Sequence, residues 1–170
     1  MPGMNTVNPF IITDRAAELI DFLIDVFGAT DVPEARTLDR DGLILHAELR
    51  VGDSLLMLAD RKPDWPFTPA LTRVYVDDAA ATLTRAESRG ARIVTRPTDF
   101  FGDTLARFQD PSANLWWVWQ HNPQPPQDWA KSEGDDWSGF ATPELHYIHG
   151  TLLEAMRTLQ DPRDHRTGQI

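Results

Sequence analysis

The chain has 170 residues, 41% hydrophobic and 25% charged, enough to bury one ordinary core or two small modules that share one. Its formal charge of −10, with no dense Lys/Arg run, repels phosphate backbones and anionic lipid surfaces, so no nucleic-acid partner is expected. Cysteine is absent, which excludes disulfides, thiolate zinc sites, iron–sulfur clusters and a cysteine nucleophile. No apolar run is long enough to cross a bilayer and no basic-then-apolar leader opens the chain. A cytoplasmic protein without a membrane partner is therefore expected.

Val7 to Ile12 is a short β-branched run that reads as a strand. Thr13 or Asp14 then caps a helix carrying Ala16, Leu19, Ile20, Leu23, Val26 and Phe27 at helical spacing, and Gly28 supplies a left-handed stop. Asp31–Leu38, Leu43–Val51 and Ser54–Ala59, each bounded by turn residues, give three strands. The proline-rich stretch 60–70 cannot continue a ladder and reads as a connection.

The pattern then repeats. Leu71–Val76 is a strand, and Asp77 or Asp78 caps a helix with Ala79, Ala80, Leu83 and Ala86. Gly90-Ala91 ends it as Gly28-Ala29 ended the first. Ile93–Thr95, Thr104–Gln109 and Leu115–Gln120 supply three more strands, the last two forming a hairpin across Asp110-Pro111 that carries Trp116, Trp117 and Trp119. The expected fold class is α+β: two βαβββ modules, about 7–60 and 71–121, within a paired domain of residues 1–121.

Beyond His121 the composition changes. Residues 122–141 read as a linker whose Trp129, Trp137 and Phe140 suit docking on a surface, and residues 142–160 as a C-terminal amphipathic helix opened by Thr142-Pro143. Leu145, Ile148, Leu152, Ala155, Met156 and Leu159 form its apolar stripe, which needs a partner surface. His146 and His149 read as surface residues, and residues 161–170 as a frayed tail.

The order and spacing of FGA after the first helix, DGLILHAELRVGDSLLMLAD, VYVDDAAATLTRAESRGARIVTRP and FGDTLARFQDPSANLWWVW resemble the glyoxalase/bleomycin-resistance/dioxygenase superfamily, also called vicinal oxygen chelate proteins. The resemblance covers about Asn8 to His121 and is nearest to the phosphonate-operon-B-like branch. Metal-dependent members place His, Gln or Glu ligands on corresponding strands of both modules. Matched onto this chain, those positions fall on or beside Val7 and Asn8, on Glu48, on Leu71 and on Trp117, so only Glu48 is a good ligand. Ala113 and Asn114 replace the family's glycine and following aromatic or histidine, and Thr104 stands where arginine is common.

If Glu48 and Trp117 face the cavity that the resemblance implies, alternation puts Ile44, His46 and Arg50 beside Glu48 and turns Leu43, Leu45, Ala47 and Leu49 toward a helix. Arg73 and Tyr75 then join Leu71, Leu115, Trp117 and Trp119 on the cavity side. The expected ligand-binding residues are Trp117, Trp119, Arg73, Tyr75, Arg50 and Arg107, the last matching a common family residue. Each has a plainer reading: Glu48 as an ion-pair partner, His46 as a solvated strand residue, the tryptophans as core filling, Arg107 as structural. The leading expectation is a homodimer that sequesters a small, partly aromatic or amphipathic molecule in a metal-free cavity, with no cofactor. One alternative is a lyase, isomerase or dioxygenase using Glu48 and His46 as its catalytic pair or in an altered divalent-metal site. The other is a dimerising domain without a pocket.

Overall fold

The computed structural model describes residues 5–123 and 142–164. Two sheets share one core. The first contains β1 (Phe10–Thr13), β2 (Thr30–Asp31), β3 (Thr37–Leu38), β4 (Ile44–Val51) and β5 (Ser54–Asp60) in the order β1-β5-β4-β2, with β3 also on β4. The second contains β6 (Leu71–Tyr75), β7 (Arg92–Phe100), β8 (Asp103–Gln109) and β9 (Leu115–Gln120) in the order β6-β9-β8-β7. In each, the first strand of the module runs parallel to the last and the others pair antiparallel. Helices α1 (Ala16–Phe27) and α2 (Ala79–Ser88) cover one face of the sheets. The common core joins Leu19, Leu23 and Val26 of the first half to Phe108, Trp116 and Val118 of the second.

The start of α1 differs from the expected Thr13 or Asp14 cap. Arg15 occupies the cap position at φ 59° without a side-chain capping hydrogen bond. The missing acceptor comes from the far end of the module, where Asp60 Oδ1 accepts from Ala16 N at 2.7 Å and Oδ2 from Ile44 N at 2.8 Å. Helix α2 repeats the device: Gln120 Oε1 accepts from Ala79 N at 2.9 Å, while Asp78 caps Ala81 N as expected. In both halves the last strand thus satisfies a free N–H at the start of the helix.

Three further expectations shift. Pro33 breaks Asp31–Leu38 into two two-residue strands around a 3-10 turn, because proline cannot donate to a ladder. Strand β7 runs well past Thr95 to Phe100. The β3–β4 register slips between Thr37/Leu38, and around this irregularity Ile44 joins the core while Leu45, expected to face a helix, is 41% exposed. Ala47 and Leu49 do face the core.

The turn from β8 to β9 fastens the halves together. The buried Asp110 carboxylate accepts from Ser112 N, Asn114 N, Asn114 Nδ2 and Trp116 Nε1. Burial raises its pKa against those donors. Asn114 Oδ1 accepts from Ala70 N at 2.9 Å, its Nδ2 reaches Thr13 Oγ1, and Ser112 Oγ donates to Asp14 O. Ala113 is held at φ 69°.

Helix α3 (Pro143–Arg157) begins at Thr142, whose hydroxyl accepts from Leu145 N. It lies on the opposite face of the second sheet, burying Ile148 and Ala155, whereas Met156 is exposed. The segment after it is tied down at 161–164 rather than frayed. Asp161 pairs with both terminal nitrogens of the buried Arg61 at 2.7 and 2.6 Å, and Arg163 bonds Asp14 and the carbonyls of Arg61 and Lys62. The expected linker, with Trp129, Trp137 and Phe140, falls outside the described residues from 124 onward, as does the tail from 165.

Two substitutions test these assignments by urea unfolding. Asp60→Ala strands two backbone N–H groups and should cost about 2 kcal/mol. Ala113→Gly relieves a left-handed alanine and should add about 1 kcal/mol.

Candidate functional site

On the first sheet, alternation along β4 turns His46 and Glu48 away from the core. They pair with each other, His46 Nε2 to Glu48 Oε1 at 3.2 Å, and the Phe10 ring lies 5.8 Å from the imidazole. Register places Glu48 opposite Met57, and Met57 opposite Phe10. Arg50 is exposed on the same strand face, opposite Leu55.

The second sheet presents a different row at the corresponding place. Trp117 is flanked by Arg73 on β6 and Arg107 on β8, and Trp119 by Tyr75 and Leu105. The Arg73 guanidinium lies 3.7 Å from the Trp119 ring centroid and 5.2 Å from that of Tyr75, a ring in a residue 63% exposed. Trp119 is fixed from behind: its Nε1 donates to Asp103 Oδ2 at 2.9 Å, and Phe100 meets it edge-on at 5.0 Å. A guanidinium held on an indole keeps an aromatic surface and a fixed positive charge side by side, worth about 0.5–2 kcal/mol in the pair itself.

Arg107 is only 2% exposed, beneath α3. Its guanidinium stacks 4.2 Å from the Trp117 ring centroid, and Nη1 donates to Ile148 O at 2.7 Å and Thr95 Oγ1 at 3.2 Å. Among the described residues no carboxylate pairs with it. Burial lowers its pKa to about 10, so it stays charged at neutral pH. Arg107 Nε and Trp117 Nε1 are both buried without a partner among the described residues.

The candidates therefore form two groups, His46–Glu48 on the first sheet and Arg73, Tyr75, Trp117, Trp119 and Arg107 on the second. Sequence reasoning missed Asp103, Thr95 and the carbonyl of Ile148. Asp103 had a signal, since it shares strand parity with Leu105 and Arg107; a helix carbonyl has none. A cleft of about 720 Å³ opens where the β4–β5 turn faces the free edge of β6, bordered by Arg73, Tyr75, Leu55 and Phe27 with Trp116 below. Among the described residues this end of the interface lacks a counterpart of the Asp110–Asn114 clasp.

Residues 3–118 match the Glyoxalase/Bleomycin resistance protein/Dioxygenase superfamily. The chain belongs to this superfamily. It is 30% identical over 122 residues to the uncharacterized protein Mb0911c of Mycobacterium bovis, covering 65% of this chain and 79% of that one. Protein PA1353 of Pseudomonas aeruginosa shares the fold at a TM-score of 0.58 and 21% identity, over 70% of this chain and 99% of that one. TnmS3 of Streptomyces sp. CB03234, described as an antibiotic binding protein, shares it at 0.55 and 20%, over 72% and 99%.

The superfamily includes metal-dependent enzymes, but the residues at this chain's matching positions do not fit a divalent ion. Among the described residues no group of three His, Asp or Glu side chains converges. Trp117, at the last-strand ligand position, has no donor to offer and lies between two arginines in register, which repel a cation. Among the described residues no helix is long and apolar enough to cross a membrane.

The Trp119 indole N–H, with Asn122 N and His121, holds the Asp103 carboxyl below the ordinary carboxylate range. A lowered folded-state pKa gives stability that is present above the unfolded value and lost as pH falls through the folded one. Between pH 5 and pH 2, wild-type protein should lose more stability to urea than Asp103→Asn, with the near-UV signal of Trp119 lost over the same range.

Proposed function

We propose that the protein binds a small, partly aromatic or amphipathic molecule carrying an anionic or polar group, without a metal, and acts by sequestering it. The observation that carries this reading is the Arg73–Trp119 stack beside exposed Tyr75. It offers a flat apolar surface and a positive charge at the border of a cleft large enough for a drug-sized molecule. The antibiotic-binding description of TnmS3, a protein of the same fold, is consistent with this use. The aromatic ring stacks on exposed Tyr75, which Trp119 backs, and the anionic group meets Arg73. Sequestration needs affinity and no reacting group, which suits a face whose tryptophans are locked by Asp103 and Arg107.

The His46–Glu48 contact at 3.2 Å favours a second reading, an acid–base pair acting on a molecule bound at the first sheet. In that case Glu48→Gln abolishes turnover of the bound molecule and leaves its affinity intact.

Tryptophan fluorescence titration with a panel of planar aromatic carboxylates tests the binding reading. Saturable quenching is expected, and Arg73→Ala should weaken it by tenfold or more while the circular dichroism spectrum is retained. Absence of saturation across the panel would sink the proposal. So would a stoichiometric divalent ion in protein purified without chelators and lost on Glu48→Ala.

A further inference from the structure

The second-sheet face is only partly open, because α3 lies across it at Arg107. Three observations make this cover unlike ordinary packing. Arg107 is an arginine buried with no carboxylate among the described residues. Burying a cation is costly unless it is paired, and here the acceptors are a neutral hydroxyl and a neutral helix carbonyl. Two N–H groups of the stacked pair, Arg107 Nε and Trp117 Nε1, are buried with nothing among the described residues to accept from them. The helix residue that meets the guanidinium, Ile148, also packs its side chain with Trp119, Leu105 and Phe100. It thus presents an acceptor oxygen beside an apolar group, the combination expected of a ligand on this face.

We infer that Arg107 and Trp117 form a carboxylate subsite for an aromatic or amphipathic acid, and that α3 is its internal occupant, with the Ile148 carbonyl in place of a ligand oxygen. This rests on the binding reading above and adds the subsite and its control. A carboxylate brings two oxygens and a full charge, so it satisfies donors that one carbonyl leaves unmet. Its ring takes the surface released by Ile148 beside Trp119. Binding therefore competes with docking of α3, and apparent affinity scales with the fraction of molecules whose helix is undocked.

Competition makes affinity depend on a residue far from the subsite. Ala155, two turns along α3, is 2% exposed and belongs to the helix alone. Ala155→Glu should undock the helix and tighten binding of naphthalene-2-carboxylate about tenfold, as followed by tryptophan quenching. Ile148→Ala, a milder change, should tighten it less, and circular dichroism confirms that each variant is folded. Arg107→Gln, assayed in the Ala155→Glu background, should remove the preference for naphthalene-2-carboxylate over naphthalene-2-carboxamide. In wild-type protein the acid should speed hydrogen exchange across residues 143–157. Saturable binding that neither helix variant alters, or slower exchange across α3 with ligand, overturns the internal-occupant assignment and leaves the binding reading standing. A lack of saturation in wild type and both helix variants overturns both.

Discussion

The structure depends on how one buried carboxylate is satisfied. Asp110 lies in the turn between β8 and β9, where water cannot solvate it, and four N–H donors must be brought to it. Meeting that demand fixes the turn, forces Ala113 into a left-handed conformation and orients the Trp116 indole in the core. Asn114, positioned by the same carboxylate, then spends its remaining groups on Ala70, just before β6, and Thr13, at the end of β1. A single local need for hydrogen bonds thus ties the two modules together. The opposite end carries a glycine turn at Gly52, and it is there that the cleft opens.

The repeat is close enough in backbone register for its differences to be informative. Glu48 opposite Met57 in one half corresponds to Arg107 opposite Trp117 in the other. The same position therefore carries an acid on one sheet and a base on the other, with a flexible thioether against the first and an indole against the second. The Glu48 side is half-buried beside His46, whereas the Arg107 side is sealed by α3. The halves share their geometry and differ in their electrostatics: a carboxylate beside an imidazole on the first sheet, a guanidinium stacked on an indole on the second.

Much of this was legible in the residues. Turn glycines at 28 and 90, helical spacing in α1 and strand alternation gave the element order, and alternation in the aromatic hairpin put Trp117 and Trp119 on the face opposite the core residues Trp116 and Val118. Failures came where the deciding partner is remote in sequence. The first-helix cap lies 44 residues away in Asp60, so no local capping signal exists. Alternation through Ile44 and Leu45 failed because the β3–β4 pairing slips by one residue, which period-2 reading cannot foresee. The tail after α3 reads as polar and mobile, yet Asp161 finds the buried Arg61 across 100 residues. Arg107 was picked out without its defining property, because burial under α3 follows from where the helix docks.

The order of the chain also matters for timing. Every strand of the second sheet lies N-terminal to α3, and the ties that hold the helix and the segment after it, Thr95 to Thr151 and Arg163 to Asp14, join residues 56 and 149 apart. Contacts of such long separation form late, and domains emerging from the ribosome fold from the N-terminus. The tryptophan–arginine face is consequently complete before its cover exists. In a newly made chain the helix therefore closes last, against strands that are already in place.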